Sequence, residues 1–160
     1  MTELNEETCC PKFDPKPWED KTIEWKNKKF CKDKVFTLFY MPIGFGCKMK
    51  KLMRIFDSEK IKNPDNLMLC DHTSMWNMNI YISTDRIVSN LNNTTISGKF
   101  LSRVYEGPFK DAGKWHKDIV EYTKRKTGND PKKVYYFYTT CPKCAKKYGK
   151  NYVVLLAQTV

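Results

Sequence analysis

The sequence predicts an α+β fold in which two β-α-β-β halves, about residues 22–90 and 95–160, share an antiparallel sheet. Three observations carry this prediction: strand patterns rich in β-formers, two long segments with apolar residues at helical spacing, and a repeat of that order along the chain. The fold would place both main helices on one side of the sheet and a cleft between the halves.

The first half begins with a predicted strand pair at 23–30 and 34–40, the second of which contains the β-forming run V-F-T-L-F-Y. A helix is predicted over 46–60, because apolar residues recur there every three or four positions. Its apolar face is formed by Met49, Leu52, Met53 and Phe56. Strands at 67–70 and 79–84 complete the half.

The second half repeats this order, with a strand predicted at 99–106 and a helix at 110–126. The apolar face of this helix is formed by Ala112, Trp115, Ile119 and Tyr122. Its basic C-terminal end suits the helix dipole. Strands at 133–139 and 152–158 follow, so the second half matches the first in order and spacing.

Residues 1–21 form a polar, proline-containing arm before the single domain at 22–160. The aromatic residues Phe13 and Trp18 indicate that this arm packs on the body. The first residues, MTELNEETCC, are acidic and polar, unlike a signal peptide. No apolar run approaches the roughly 20 residues of a membrane helix. We therefore expect a cytoplasmic protein with no membrane partner.

The formal net charge is +11, and 25 of the 29 basic residues are lysines. A basic chain invites a nucleic-acid interpretation, because neutralising phosphates drives non-specific binding. Base-edge and bidentate phosphate recognition favour arginine, of which only four are present. A solvated lysine surface is therefore favoured over specific nucleic-acid binding.

Seven cysteines without an export signal favour reduced thiols or a metal site over disulfides. Cys141 and Cys144 have the C-x-x-C spacing that can clasp zinc from a tight turn, and Cys9 and Cys10 could complete the site. Ordinary thiols are the alternative. A redox role is disfavoured, because a thioredoxin-type motif should open a helix after a strand, whereas this one is predicted in a lysine-rich hairpin. No cofactor is required, and zinc is the one candidate.

A cleft set combines two carboxylates with aromatic side chains. Glu106 interrupts an aromatic strand and Asp71 ends another, so either could anchor a cation or act as general base. The candidate walls are Tyr40, Trp76, Tyr81, Tyr105, Trp115, Tyr136 and Tyr138. Aromatic walls with one carboxylate would hold a flat or cationic ligand. The alternative is an ordinary aromatic core with Glu106 in water. Alternation along the strand allows Tyr136 and Tyr138, or Tyr135 and Phe137, to line the cleft.

Two histidines leave little room for a nucleophilic triad. Cys70 and His72 can share a strand face, so a nucleophile–base pair is geometrically allowed, although most such pairs are accidental. His116 is interpreted as a surface residue beside Trp115. No phosphate-binding loop or dinucleotide fingerprint is present in the sequence.

The stretch V-Y-E-G-P-F-K-D-A-G-K-W at 104–115 resembles the strand–Gly-Pro–helix signature of GyrI-like proteins, the gyrase-inhibitor-like and AraC effector-binding domains. The resemblance implies the double β-α-β-β architecture and a central cleft for drug-like, often cationic or aromatic, molecules. It also implies that some stand-alone members hydrolyse reactive cyclopropane-containing toxins with a buried carboxylate. The family's glutamate often lies near the last strand, where this chain has no acidic residue.

The sequence therefore predicts a GyrI-like small-molecule-binding protein that sequesters toxic compounds or hydrolyses them. The alternative is a non-catalytic interaction domain, zinc-stapled or not, whose lysine surface binds nucleic acid or an acidic partner.

Overall fold

The computed structural model describes residues 12–39, 41–139 and 142–160. The strands are Lys21–Leu38 (β1), Met41–Pro42 (β2), Met68–Ser74 (β3), Asn77–Ser83 (β4), Asn93–Glu106 (β5), Lys133–Tyr138 (β6) and Tyr152–Gln158 (β7). The helices are Phe45–Ser58 (α1), Ala112–Thr127 (α2) and Pro142–Tyr148 (α3). The strand pairs within each part of the chain are antiparallel, so the predicted α+β class is confirmed.

The chain divides into two compact units. Unit 1 contains the described residues in 12–24, 98–139 and 142–160, and unit 2 contains those in 25–39 and 41–97. In unit 1, β7 pairs antiparallel with β5 and with β6. In unit 2, β4 pairs antiparallel with β1 and with β3. The last strand of each unit is therefore its central strand.

Unit 2 has a core of aliphatic and aromatic side chains from its strands and from α1. The predicted helical face is confirmed, since Leu52 and Phe56 are buried and Met49 and Met53 are half-buried. The strands contribute the fully buried side chains Phe30, Val35, Leu69, Ile80 and Ile82. Complete burial of such side chains is worth roughly 1.5–3 kcal/mol each.

Unit 1 has a core between α2 and β7. Trp115 and Ile119 of the helix cluster with Val153, Leu155 and Ala157 of the strand. These strand residues alternate with others along β7, so they share one face. The helix ends at Gly128, whose φ of 78° suits glycine and whose N–H donates to the Lys124 carbonyl at 2.8 Å. The helix is therefore fixed across one face of the unit 1 sheet.

Two local predictions were wrong, and the first is the strand pair at 23–30 and 34–40. These residues form one continuous strand, β1, of 18 residues. The intervening residues contain no glycine or proline, and Cys31 is buried in register with Ile82 of β4. Ladder pairing therefore continues through the segment that was predicted to separate the two strands.

The second wrong prediction is the lysine-rich hairpin around Cys144. Residues 142–148 form the short helix α3, with Cys144 buried inside it. Proline at the first helical position and the helix-forming Ala145, Lys146 and Lys147 favour this conformation. The helix ends before Gly149, which has a left-handed φ of 73°. The objection to a redox role, that the motif lies in a hairpin, therefore no longer applies to Cys144.

Candidate functional site

Four rings of unit 1 follow one another in contact, and we call them the aromatic row: Phe109, Tyr138, Tyr136 and His116. The Phe109 ring meets Tyr138 edge-on at 5.6 Å between centroids. Tyr138 stacks on Tyr136 at 6.1 Å, and Tyr136 stacks on the His116 imidazole at 6.2 Å. Phe109 and His116 are exposed, whereas the two tyrosines are half-buried. The row therefore presents ring faces and edges to solvent.

Strand alternation decides which face of β6 carries the row. Tyr135 and Phe137 point to the opposite face, where they are buried. Phe137 contacts the rings of Phe13 and Trp18 at 6.0 and 5.4 Å, so the segment that precedes β1 covers this face. Alternation allowed either Tyr136 with Tyr138 or Tyr135 with Phe137 to line a cleft. Only Tyr136 and Tyr138 are partly exposed in unit 1.

Burial favours the uncharged forms of two side chains in the row, His116 and Tyr136. Partial burial lowers the pKa of His116, which favours the neutral imidazole. Burial raises the pKa of Tyr136 to about 12, which favours the neutral phenol. The Nδ1 atom of His116 lies 2.8 Å from the Tyr136 hydroxyl, a hydrogen bond that holds the two rings in register. The pair can therefore accept a flat or cationic group without electrostatic repulsion.

The Gly-Pro break positions the first ring of the row. Gly107 has a φ of 148°, which L side chains rarely adopt, and its N–H donates to the Asn151 carbonyl. The Asn151 side-chain amide donates back to the Gly107 carbonyl at 2.7 Å. This reciprocal clamp ends β5, and a short 3-10 turn then places Phe109 before α2. A Cβ atom on Gly107 would lie 3.4 Å from the Trp115 ring.

Tyr105 and Trp115 stack on each other outside the row, with 5.7 Å between their ring centroids. Trp115 is buried in the unit 1 core. The Tyr105 hydroxyl donates to Asp118 at 2.6 Å, and Arg103 also binds Asp118 at 3.1 Å. Burial, with Asp118 second, raises the pKa of Tyr105. Both side chains are thus committed to internal contacts.

Glu106 ends β5 as an exposed side chain. It lines an open groove of about 450 Å³ with Lys146, Lys150 and Asn151. The burial that the general-base hypothesis required is not found at this carboxylate. Its position, three residues before Phe109, puts its backbone close to the row, and its role stays a prediction.

Three predicted site residues lie in unit 2. Asp71 is buried on β3, and Tyr81 is buried on β4 with its ring 6.4 Å from Phe30. Trp76, in the β3–β4 turn, is 46% exposed and contacts Phe39. Tyr40 lies outside the described residues. The structure thus brings together Tyr136 with Tyr138 and Tyr105 with Trp115 in unit 1. In unit 2, Asp71 and Tyr81 lie on the adjacent strands β3 and β4, in register with Asn79 and Leu69, and Trp76 lies in the turn between these strands.

Two buried cysteines of unit 2, Cys31 and Cys70, are not set up as nucleophiles. Burial, with Asp71 second, raises the pKa of Cys70 to about 12, and burial, with Asp33 second, raises that of Cys31 to about 11. Burial also lowers the pKa of His72, against the opposing effect of Asp71. Cys70 is therefore a protonated thiol at neutral pH, which argues against the Cys70–His72 pair.

The zinc hypothesis concerns residues that the structure covers only in part. Cys9, Cys10 and Cys141 lie outside the described residues. Across residues 12–39, 41–139 and 142–160, no cluster of three or more His, Cys, Asp or Glu side chains could hold a metal ion. None of the helices in the same ranges has the length and apolar character of a membrane span.

A larger groove of about 730 Å³ lies in unit 2 between β1, α1 and the loop at 90–92. Its lining among the described residues has no aromatic side chain, and Lys48 at its edge is paired with Asp33 at 3.1 Å. It does not match the aromatic walls that the sequence predicts.

Sequence reasoning missed Phe109 and the role of His116. Phe109 directly follows the Gly-Pro break, and His116 follows Trp115 on α2, so its imidazole lies on the flank of the buried face. Helical spacing from Trp115 predicts core contacts but gives no signal for the flanking residue. The stacking partner of His116 comes from β6, which only tertiary structure brings near.

The fold and the row define the chain as an α+β protein with an uncharged aromatic surface on one unit. The family model described as "Bacterial hydrolase" matches residues 1–159, and the chain therefore belongs to the family that this model describes. No curated protein matches the chain.

Among solved structures, the chain is similar to SAV2435, which was determined bound to tetraphenylphosphonium. The two share 12% sequence identity and a TM-score of 0.54, over 88% of this chain and 93% of that one. At this level of identity, the similarity shows a shared fold.

Proposed function

We propose that this protein binds flat or lipophilic aromatic small molecules, including organic cations, along the aromatic row of unit 1, and sequesters them. The observation that carries the proposal is the succession Phe109–Tyr138–Tyr136–His116, in which four rings follow one another in edge-on or stacked contact and remain partly open. Ring faces attract both aromatic groups and cations, and each contact of this kind is worth about 0.5–1 kcal/mol at an exposed site. The GyrI-like resemblance and the ligand of SAV2435 support the same ligand class.

Glu106 is the proposed charged anchor. Its carboxylate is exposed at the end of β5, and the chain continues through Gly107 and Pro108 to the first ring of the row. An exposed charge adds only about 0.2–1 kcal/mol to the binding of a cation. We therefore assign most of the binding free energy to the rings, and a smaller part to Glu106.

Calorimetric titration with tetraphenylphosphonium tests this proposal. Replacing Tyr138 by leucine removes the central ring but keeps an apolar side chain, and should weaken binding about fivefold, which corresponds to about 1 kcal/mol. Glu106→Gln should weaken it about twofold. Tyr122→Leu is the matched control, because Tyr122 lies on α2 outside the row and contacts Arg103.

Equal affinities of the Tyr138→Leu and Tyr122→Leu variants would refute the assignment to the row. Binding that fell steeply with salt and ignored the ring substitutions would instead support the alternative lysine-surface function.

Hydrolysis is a second candidate, favoured by the description of the family. Glu106 and Asp71 are the carboxylates proposed as general base, Glu106 exposed and Asp71 buried on β3. An electrophilic cyclopropane-containing compound, incubated with the protein in heavy-oxygen water, should yield a product that has gained one labelled oxygen. The Glu106→Gln and Asp71→Asn variants then separate the two carboxylates. Unlabelled starting compound after complete incubation would rule out hydrolysis of that compound class.

We also propose that the two units arose as a GyrI-like duplication. The order β1-α1-β3-β4 in unit 2 matches β5-α2-β6-β7 in unit 1, apart from the two-residue β2 and the short α3. Each unit also has its last strand in the centre. Superposition of the two units would test this relationship: strands that superpose in matching register support it, and a shifted register contradicts it.

A further inference from the structure

One end of unit 2 carries a cluster of exposed apolar side chains that the proposed function does not use. The described residues contain nine exposed large apolar side chains, and six of them lie here. We call this cluster the apolar tip: Phe36, Leu38, Phe39, Ile43, Met75 and Trp76. Phe39 is 66% exposed and Phe36 is 57% exposed. An exposed apolar cluster of this kind commonly marks an interaction surface.

Backbone hydrogen bonds hold the tip together. The Thr37 N–H donates to the Trp76 carbonyl, and the Thr37 hydroxyl donates to the Met75 carbonyl, both at 2.9 Å. The Ile43 N–H donates to the Phe36 carbonyl at 2.9 Å. The ring centroids of Phe39 and Trp76 lie 5.3 Å apart. The six side chains are thus displayed on connected backbone.

The turn places an aromatic ring where a small polar residue would be less strained. Phe39 has a φ of 48°, in the left-handed region that asparagine and glycine tolerate better than a bulky side chain. A strained backbone under an exposed ring suggests that the ring is kept at this position for contact with a partner.

The charge around the tip identifies the partner. Residues 34–56 contain five basic residues and no acidic one. The basic residues are Lys34, Lys48, Lys50, Lys51 and Arg54. Lys34 and Phe36 lie on the same face of β1, about 7 Å apart along the strand. Lys51 lies about 9 Å along the axis of α1 from its first residue, which follows the tip.

Asp33 precedes this segment and pairs with Lys48 at 3.1 Å. Lys34, Lys50, Lys51 and Arg54 are exposed. We call Lys34, Lys48, Lys50, Lys51 and Arg54 the basic collar of the tip. The collar has a net positive charge even though Lys48 is paired with Asp33.

We propose that the apolar tip of unit 2 docks peripherally on a bilayer that contains anionic lipid. Apolar side chains enter the headgroup boundary while lysines reach anionic headgroups, and each lysine near the surface contributes about a threefold to sixfold increase in binding. A second copy of this chain fits less well, because it would bring two basic collars together. The proposal is independent of ligand binding by unit 1, and it departs from the sequence-based expectation of no membrane partner, so the test below decides between the two.

The test is co-sedimentation of the full chain with vesicles of pure phosphatidylcholine and of phosphatidylcholine with about a third phosphatidylglycerol. We expect binding to the anionic vesicles and little to the neutral ones. The double variant Phe39→Asn with Trp76→Ser should reduce the partition coefficient about tenfold or more, as should Lys50→Gln with Lys51→Gln. Asparagine suits the backbone of residue 39, so that loss would not reflect added strain.

Matched control variants distinguish binding by the tip from non-specific binding of the protein to vesicles. Ile87→Ser removes a 69% exposed apolar side chain elsewhere in unit 2, and Lys124→Gln with Lys126→Gln removes two lysines of α2. Both controls should bind like the unmodified chain. Circular dichroism of every variant verifies that its fold is retained.

Three results would overturn the proposal. The first is no binding to anionic vesicles at low salt. The second is an equal loss of binding in the tip variants and in the controls, which would mean non-specific electrostatic attraction. The third is self-association by sedimentation velocity that Phe39→Asn abolishes, which would mean that a second copy covers the tip.

Discussion

The two units use their aromatic side chains in opposite ways, although their strands and main helices follow the same order. In unit 1, Tyr136 and Tyr138 stack along β6 and are half-buried. In unit 2, Phe30 and Tyr81 are buried within the sheet, while Phe39 and Trp76 protrude at the end of β1 and in the β3–β4 turn.

The difference comes from how the strands end. In unit 1, the Gly107 clamp ends β5 and a short 3-10 turn leads into α2, whose His116 stacks on Tyr136. In unit 2, β1 and β3 end in tight turns, where Phe39 and Trp76 are exposed and contact each other. The same order of elements thus yields an aromatic surface suited to small ligands in one unit, and one suited to a larger partner in the other.

The largest expected effect is a difference in alkylation between two cysteines of unit 2, the exposed Cys47 near the tip and the buried Cys70 on β3. Burial raises the pKa of Cys70 to about 12, so its thiolate fraction at pH 8 is roughly a thousandfold below that of an ordinary thiol. Cys47, on α1 near the tip, is exposed. Alkylation with iodoacetamide, followed by peptide mass spectrometry, should modify Cys47 in the folded protein and Cys70 only after unfolding. Rapid modification of Cys70 in the folded protein would contradict its burial in β3.

Substitution of two tryptophans compares the contribution of a buried ring to stability with that of an exposed ring. Trp115→Ala removes a buried ring from the unit 1 core and should lower the free energy of unfolding by about 3–5 kcal/mol. Trp76→Ala removes an exposed ring of unit 2 and should change it by about 0.5 kcal/mol or less. Urea denaturation measures both. Similar values for the two variants would show that the ring at the tip is as well packed as the one in the core.

Two glycines compare the chain breaks that precede the main helices. Gly107→Ala combines a φ of 148° with a Cβ contact to Trp115 and should cost about 1–3 kcal/mol. Gly44, before α1, has a φ of 70°, and a Cβ added there would meet no described atom within 4 Å, so Gly44→Ala should cost about 1 kcal/mol. Thermal unfolding of both variants measures the difference. A larger loss of stability in Gly44→Ala than in Gly107→Ala would mean that the chain is more tightly constrained before α1 than before α2.

The smallest effects are expected at polar contacts on the surface of each unit. Tyr105→Phe removes the hydrogen bond to Asp118 in unit 1 and should cost about 1 kcal/mol. Asp33→Asn weakens the pair with Lys48 in unit 2 and should cost about 0.5 kcal/mol, because both partners are partly exposed. Urea midpoints at low and high salt distinguish them, since only the Asp33 pair should lose its contribution as salt rises.

The sequence predicted the α+β class and both main helices, because Leu52 and Phe56, and Trp115 and Ile119, recur with the period of a helix. It predicted a break in β1 that the structure does not have, because the polar residues around Cys31 look like a turn although the backbone there continues to pair with β4. It misassigned the segment at Cys144, because a seven-residue helix carries too few turns to show a period.

The site was harder to predict, for a physical reason. Tyr136 and Tyr138 could be proposed from alternation along one strand, but the row also needs His116 from α2 and Phe109 from the turn before it. Such contacts join side chains from elements that are far apart in sequence, so they depend on how the elements pack in three dimensions. The spacing of residues within one element does not predict this packing. For the same reason the sequence did not predict the contact between Phe39 and Trp76.

The central position of β7 has a consequence for synthesis on the ribosome. Unit 2 is continuous in sequence, so β1, α1, β3 and β4 have all been translated before most of unit 1 exists. Unit 1 needs β7, which follows β5 and β6 in the chain, to join them. Nascent chains would then carry β5 and β6 with unpaired edges until β7 has been synthesised, so chaperones that bind such edges should engage this unit at that stage.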